Sequence, residues 1–154
     1  MNTIFRYISS IAICESVGFI SGLVSSPDSW YTSLKKPSIT PPSWVFAPVW
    51  TLLYALMGIS AAMVIHKNEK ATAQNFVIFS TQLLLNFLWT ILFFGLHLPL
   101  TAFIDILLLL ATILLTYWKF LHISKLAAIL LIPYILWVSF ASVLNFEIWR
   151  LNRP

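Results

Sequence analysis

Charged side chains are scarce in this chain of 154 residues, because Lys, Arg, Asp and Glu make up 9% of it, against roughly a quarter in soluble domains. Nine basic and five acidic residues cannot cover a globule of this size with polar surface, and 60% of the residues are hydrophobic. This excludes a soluble enzyme and predicts an integral membrane protein with the lipid bilayer as a partner. The basic residues form no run, which excludes nucleic-acid binding.

Cysteine is nearly absent, and the residues that bind metals are poorly placed. The single cysteine, Cys14, cannot form a disulfide within the chain, and it excludes a multi-cysteine metal or iron–sulfur site. His66, His97 and His122 all fall in predicted short connections, away from the middle of any helix. We therefore expect no metal site and no covalently bound cofactor.

Long apolar runs dominate what the sequence does contain. A helix needs about 20 mostly apolar residues to cross a bilayer, and the runs that meet this length lie at approximately 5–25, 44–65, 73–95, 100–121 and 126–146. The first run also resembles a signal peptide, but Glu15 interrupts it, which favours a span. The sequence predicts an all-α, multi-pass protein of the cell membrane, with a single domain over residues 1–154 that forms a bundle of five transmembrane helices.

The connection after the first span, at about 26–43, is longer than the others, and we call it the capping loop. Its text is PDSWYTSLKKPSITPPSW up to the start of the second span, and its prolines are Pro27, Pro37, Pro41 and Pro42. Proline fixes φ, so these residues predict stiff extended or turn backbone rather than a flexible tether. We expect a rigid aromatic cap over one end of the bundle, the alternative being an ordinary interfacial loop with belt tryptophans.

Tryptophan occurs seven times, and depth separates the residues into two groups. Trp30, Trp44 and Trp149 fall at the capped interface and Trp118 near the opposite one, which is typical of aromatic belts. The others lie deeper, where an indole N–H lacks water and needs an acceptor: Trp50, Trp89 and Trp137. The deep group indicates a site inside the bundle.

Side chains from several spans fall at one depth below the capping loop. At about 1.5 Å of rise per residue, the following lie roughly 6 to 14 Å from the capped ends of their helices: Ser21, Trp50, Asn86, Trp137 and Ala141. Two stripes at helical spacing extend this set, one with Trp137, Ala141 and Asn145, the other with Gln82, Asn86, Thr90 and Phe93. Apolar walls with a few polar groups predict a ligand pocket. The alternative is that the amides only bond between helices.

Two acidic residues fall inside predicted spans. Glu15 and Asp105 are costly at mid-membrane, so we expect them to face the bundle interior, a partner or water. Protonated carboxyls bonded to neighbouring groups are the expected state, and a proton relay is the alternative.

Glycine and proline mark where the helices can approach or bend. Gly18 and Gly22 form a stripe of small residues that permits close helix contact within or between subunits. Pro48 and Pro133 each free a backbone carbonyl one turn earlier, so we expect both helices to bend near the predicted pocket.

Four stretches of the sequence resemble the translocator protein/tryptophan-rich sensory protein (TspO) family. They are WYTSLKKPSITPPSWVFAPVWTLLYALMG at 30–58, LNFLWTILFFG at 85–95, FIDILLL around Asp105 and PYILWVSFASVLNFEIWRLN at 133–152. The resemblance covers nearly the whole chain in order. The spacing of Trp44 and Trp50 around Pro48 is its most specific element.

The resemblance implies a five-helix bundle, usually homodimeric, that binds tetrapyrroles such as protoporphyrin IX and, in many members, benzodiazepine-type drugs. For bacterial members it also implies light-dependent porphyrin breakdown. Carried over to this sequence, it assigns the pocket tryptophans to Trp50 and Trp137 and the loop tyrosine to Tyr31. It assigns the asparagine of the third span to Asn86 and the small residue of the fifth to Ala141.

We therefore expect a membrane receptor for porphyrin-like rings. Trp50 and Trp137 would stack on the ring or give it an electron under light, which makes them the expected catalytic residues of any breakdown. The expected ligand-binding residues are Ser21, Tyr31, Pro41, Trp50, Asn86, Trp89, Phe93, Trp137 and Ala141. The porphyrin is a ligand or substrate in this hypothesis. Whether the chain is an enzyme stays open, and the alternatives are a transporter of tetrapyrroles or similar amphiphiles and a porphyrin-responsive sensor or scaffold.

Overall fold

A computed structural model of the chain describes residues 3–67 and 72–153. The α-helices are α1 (Thr3–Val24), α2 (Ser29–Ser33), α3 (Phe46–Lys67), α4 (Thr72–Thr90), α5 (Pro99–Leu121), α6 (Lys125–Ile129) and α7 (Ile132–Asn152). A 3₁₀ turn at Ser43–Val45 leads into α3, and a π turn at Ile91–Gly95 continues α4. Within the described ranges five helical segments are long and apolar enough to cross a membrane, which confirms the predicted all-α fold.

The spans form a closed ring around an apolar core. In the ring α1 packs against α3 and α4, α4 against α5, and α5 against both halves of the fifth span. The fifth span contacts α3 mainly through α6, at the end of the bundle away from the capping loop. Met57, Ile113 and Val138 are fully buried where the spans meet. Because α3 and α7 contact each other less toward the capped end, space is left there.

The outer surface of the bundle is apolar, as a lipid-facing surface must be. On α1 alone Phe19 is 69% exposed and Leu23 is 71% exposed, and large apolar side chains are exposed along α5 and α7 too. A soluble protein rarely exposes so much contiguous apolar surface. The hydrocarbon of the bilayer accepts it without cost, which agrees with five membrane spans.

Helices α1 and α3 touch backbone to backbone at a glycine that the sequence analysis did not single out. A Cβ built on Gly58 would lie 2.5 Å from Ile11 Cα and 2.8 Å from Ile11 N. Gly18, one of the two glycines predicted to allow close contact, accommodates the ring of Tyr54. Gly22 has open space beside its Cα. The two helices are therefore closest near Gly58 and separate toward the capping loop.

The fifth span is broken just before Pro133, as its sequence predicts. The helix stops at Ile129 and resumes at Ile132, because a proline supplies no N–H to the preceding turn. The Leu131 N–H donates to Ala128 O, so Ala127 O is freed, and the Ser60 hydroxyl of α3 donates to it at 2.7 Å. A neighbouring helix thus satisfies the freed backbone group, as hydrocarbon requires.

The other ends of the spans differ from the predictions in two places. Pro48 lies in the first turn of α3, where a missing N–H costs nothing, so the chain enters through a 3₁₀ turn and α3 itself does not need to bend there. The fifth span continues to Asn152, beyond the predicted end near 146, although its last turns are polar. Its polar residues are satisfied, since Arg150 Nη2 donates to Glu147 at 2.6 Å and Asn152 Nδ2 donates to Ile148 O.

The capping loop contains a short helix, α2, so the prediction of extended or turn backbone throughout is wrong between Ser29 and Ser33. Asp28 caps this helix, because its carboxylate accepts a hydrogen bond from the Tyr31 N–H at 3.1 Å. The same N–H holds the pKa of Asp28 below its ordinary value, and attraction to His97 lowers that pKa further.

Two polar contacts hold the capping loop on the bundle. His97 Nε2 lies 3.1 Å from Asp28 Oδ2, and the His97 ring stacks on Trp30 at 4.3 Å. At the other side of the loop Asn152 accepts from the Lys35 N–H at 2.9 Å and donates to the Lys35 carbonyl at 2.8 Å. Trp30 is therefore half-buried and part of the loop attachment.

We predict that Gly58→Ala destabilises the bundle. The added methyl group meets the backbone of Ile11, which cannot move away without shifting α1, and overpacking of this kind costs about 1–3 kcal/mol. The melting temperature in detergent should fall by several degrees. The matched control is Gly22→Ala, whose methyl group enters open space. Equal melting temperatures of the two variants would show that the α1–α3 contact is looser than described.

We predict that acid loosens α2. A carboxyl whose pKa is lowered by folding contributes its full stabilisation above its unfolded pKa of about 4. That stabilisation is lost as the pH falls through the lower folded value. Amide hydrogen exchange of residues 29–33, corrected for the intrinsic rate, should therefore accelerate at pH 3 relative to pH 6. Asp28→Asn keeps a capping oxygen without the charge and should show no such pH dependence. An unchanged acid response in that variant contradicts the assignment to Asp28.

Candidate functional site

A cavity of about 430 Å³ lies inside the capped end of the bundle, where the spans separate. This volume is within the range of about 300–1,000 Å³ that is usual for small-molecule sites. Side chains of α1, α3, α4, the π turn and α7 form its walls, and the capping loop covers it. The lining is mostly apolar and aromatic with a few polar groups, which is the composition of a ligand pocket.

Most of the predicted ligand-binding residues meet at this cavity. Those that line it are Ser21, Tyr31, Trp50, Asn86, Trp89, Phe93, Trp137 and Ala141. Pro41 lies in the capping loop outside the lining. The two predicted stripes also reach the cavity, except for Gln82, which is buried beneath it.

Tyr54 and Glu15 are two of the polar lining residues that were not predicted, and the others are Ser25, Ser26, Ser43 and Thr51. Tyr54 follows Trp50 by one helical turn on α3, and Glu15 precedes Gly18 by three residues on α1. Spacing of three or four residues places each on the same face as a neighbour at the site. Tyr54 could have been predicted as a lining residue, because it lies four residues after Trp50 on the same helix. Glu15 was recognised as a costly carboxyl, but nothing in the sequence assigned it to the pocket.

A chain of hydrogen bonds closes the lower end of the cavity. The Tyr54 hydroxyl donates to Asn86 Oδ1 at 2.6 Å, and Asn86 Nδ2 donates to the Tyr134 hydroxyl at 3.0 Å. Tyr134 in turn donates to Gln82 Oε1 at 2.8 Å. These residues come from α3, α4 and α7, so one network joins three spans. Hydrogen bonding of Gln82 and Asn86 between helices is therefore compatible with a pocket. Asn86 bonds to two neighbouring helices and also lines the cavity.

The indole of Trp89 is fixed by a second polar chain. Its Nε1–H donates to Asn145 Oδ1 at 2.9 Å, and Asn145 Nδ2 donates to the carbonyl of Pro99 at 2.7 Å. The Trp89 ring also stacks on Phe93, with 5.3 Å between ring centroids. Because its N–H is already used, Trp89 serves the site as a rigid wall.

The indoles of Trp50 and Trp137 differ from that of Trp89, because within the described ranges neither N–H has a hydrogen-bond partner. Both rings line the cavity and are half-buried. The Trp50 ring packs on Tyr54 with 5.6 Å between ring centroids. The Trp137 ring meets Phe46 edge-on, with 5.9 Å between centroids. Each indole therefore offers a ring face and a free donor to a molecule in the cavity.

The capping loop supplies the roof through Tyr31. The Tyr31 ring is buried and meets Phe94 edge-on, with 5.3 Å between ring centroids, and Lys36 Nζ lies over the Tyr31 ring, 4.4 Å from its centroid. Burial raises the pKa of the Tyr31 hydroxyl, so it remains a neutral group. This packing makes the roof aromatic and places a cation just above it.

The cavity opens toward the lipid between α1 and α3. Phe19 and Gly22 of α1, and Ala47 and Thr51 of α3, line the cavity and are also exposed on the outside of the bundle. Below this opening the helices close on each other at Gly18 and Gly58. An amphiphile dissolved in the bilayer can thus reach the cavity without crossing the capping loop.

Comparison with known proteins agrees with this architecture. Residues 10–150 match the TspO/MBR family. The chain is 47% identical over 146 residues to "Tryptophan-rich protein TspO" of Chlorobaculum tepidum, which covers 92% of each chain. It is 41% identical over 142 residues to "Protein CrtK" of Rhodobacter capsulatus, covering 90% of this chain and 88% of that one. It is 38% identical over 127 residues to the human "Translocator protein", covering 80% and 75%. The chain is a member of the TspO/MBR family.

Proposed function

We propose that this protein binds flat, amphiphilic aromatic rings of the tetrapyrrole class, with protoporphyrin IX as the reference ligand. The observation that carries the proposal is the pair of unbonded indoles, Trp50 and Trp137, in a lipid-accessible cavity under an aromatic roof. Indole faces attract a flat π-system, and the free N–H groups fix its polar edge. Benzodiazepine-type drugs, which are smaller aromatic ligands, fit the same chemistry.

The polar groups around the cavity give the ring one orientation. Lys36 lies over the Tyr31 ring of the roof, whereas the lining carries no basic side chain among the described residues. Carboxylates of a porphyrin are therefore favoured at the capped end, and the apolar edge of the ring is favoured deeper in the bundle. Membrane access between α1 and α3 suits a ligand of this mixed character.

The proposed binding depends on the small side chain of Ala141, which leaves part of the cavity open. We predict that Ala141→Phe lowers the affinity for protoporphyrin IX by about tenfold or more, because the new ring occupies the volume that the ligand needs and its displacement costs more than 1.4 kcal/mol. Quenching of tryptophan fluorescence in detergent measures the affinity. Ala111→Phe, on an exposed face of α5, is the matched control and should bind like the parent protein. Parental affinity of Ala141→Phe excludes this cavity as the site.

We also propose that light drives breakdown of the bound ring. One electron passes from an indole to the photoexcited porphyrin, and the ring radical anion combines with dioxygen. The electron then returns to the indole radical cation, so that the net change is the addition of one dioxygen to the ring, whose two atoms become carbonyl oxygens as one carbon–carbon double bond breaks. Proximity makes Trp50 and Trp137 the donors, since both indoles line the cavity.

The photochemical step has its own prediction. Replacing both Trp50 and Trp137 with Phe should slow porphyrin consumption by about tenfold, equivalent to roughly 1.4 kcal/mol in the barrier. Stacking by phenylalanine should preserve most of the binding. The absorption spectrum during illumination reports the rate. Trp118→Phe, 56% exposed and at the opposite end of α5, is the control. If the double variant binds porphyrin and consumes it at the parental rate, the electron-donor role is wrong.

A further inference from the structure

Glu15 is a carboxyl inside a membrane span that has no partner within the described part of the chain. It lies on α1 about 14 Å below the capped end of the helix, at the level of Asn86, and it lines the cavity. No hydrogen bond or ion pair to its side chain occurs among the described residues. A carboxyl at this depth is costly unless something binds it, which makes it a functional-site candidate.

Four polar side chains of the cavity, Glu15, Tyr54, Trp50 and Trp137, have hydrogen-bonding capacity that the fold does not use. At the lower end the Tyr54 hydroxyl proton is committed to Asn86, so the Tyr54 oxygen is left to accept. Glu15 on the adjacent helix adds further acceptors at that level. About one helical turn nearer the capped end than Tyr54 and Tyr134, the indole N–H groups of Trp50 and Trp137 are free to donate. A guest that matches this pattern places its hydrogen-bond donors low and its acceptors high.

We propose that Glu15 is a specificity-determining residue that selects ring ligands carrying a protonated amine. Such a ligand would bind in the orientation opposite to that of a porphyrin dicarboxylate, with its ammonium group at the level of Glu15 and Tyr54, where a charge-assisted hydrogen bond forms in a region poor in water. The adjacent ammonium group favours the ionised form of Glu15, and that carboxylate disfavours a ligand with an anionic substituent at the same level. This inference rests on the proposed binding of flat aromatic rings, and it adds the charge class of the preferred ligand.

Two porphyrins of equal ring structure test the proposal. One is the dimethyl ester of protoporphyrin IX, which is neutral, and the other is the amide of protoporphyrin IX with ethylenediamine, which carries primary ammonium groups. The affinity of the parent protein and of Glu15→Gln for both is measured by fluorescence quenching at pH 7. We expect Glu15→Gln to bind the amine derivative about tenfold more weakly, the worth of one charge-assisted bond, and the ester equally well.

Two further variants separate a specific role from a structural one. Glu15→Asp keeps the charge and should retain most of the preference for the amine derivative. Asp105→Asn removes the second intramembrane carboxyl, which is 5% exposed and does not line the cavity, and it should leave both affinities unchanged. An Asp105→Asn variant that lost the preference to the same extent would indicate a general effect of net charge and overturn the assignment.

The outcomes also distinguish this inference from the proposed function. If the ester binds the parent protein but the amine derivative shows no dependence on Glu15, the inference fails and ring binding stands. If neither porphyrin binds the folded parent protein, ring binding itself fails. Should Glu15→Gln not fold, Glu15→Ala takes its place in the same comparison, with the same expected loss of about tenfold for the amine derivative and an unchanged affinity for the ester.

Discussion

The site depends on the chain of hydrogen bonds that runs from Tyr54 through Asn86 and Tyr134 to Gln82. In hydrocarbon an amide or hydroxyl without a partner is costly, so these polar side chains must find one another across the bundle. Their meeting fixes α3, α4 and α7 at one level. Away from the capping loop the bundle packs densely, with Met57 and Val138 fully buried. Between this hydrogen-bond network and the capping loop, the spans separate and leave the cavity.

Helices α1 and α3 are in close contact at one level and open at another, nearer the capping loop. Gly58 brings the backbones of α1 and α3 together, and the two straight helices then separate toward their capped ends. The ring of Tyr54 fills the space at Gly18, and beyond it, at Gly22, nothing fills the gap. A single glycine therefore contributes both to the stability of the bundle and to the access of lipid-dissolved molecules. The capping loop is held on the bundle at Asp28 and Asn152, away from this opening.

Much of this arrangement could be predicted from the sequence, because hydrophobic length and helical spacing are local properties. Span positions followed from the apolar runs, and the stripe of Trp137, Ala141 and Asn145 followed from the helical repeat. What depends on a neighbouring chain segment could not be predicted in this way. The role of Gly58 requires knowledge of what α1 places opposite it, and Trp30 belongs to the loop attachment because His97, 67 residues later in the chain, stacks on it.

Hydrogen bonding divides the tryptophans by role more sharply than depth does. Trp50, Trp89 and Trp137 were grouped because an indole at that depth needs an acceptor, yet among them only Trp89 has one in the described residues. A buried N–H without a hydrogen-bond acceptor carries a desolvation cost, and a ligand that supplies an acceptor relieves this cost. The same reasoning applies to Glu15, a costly acceptor that the fold also leaves unpaired. Polar groups without partners at both ends of one cavity are best explained by a ligand that pairs with both.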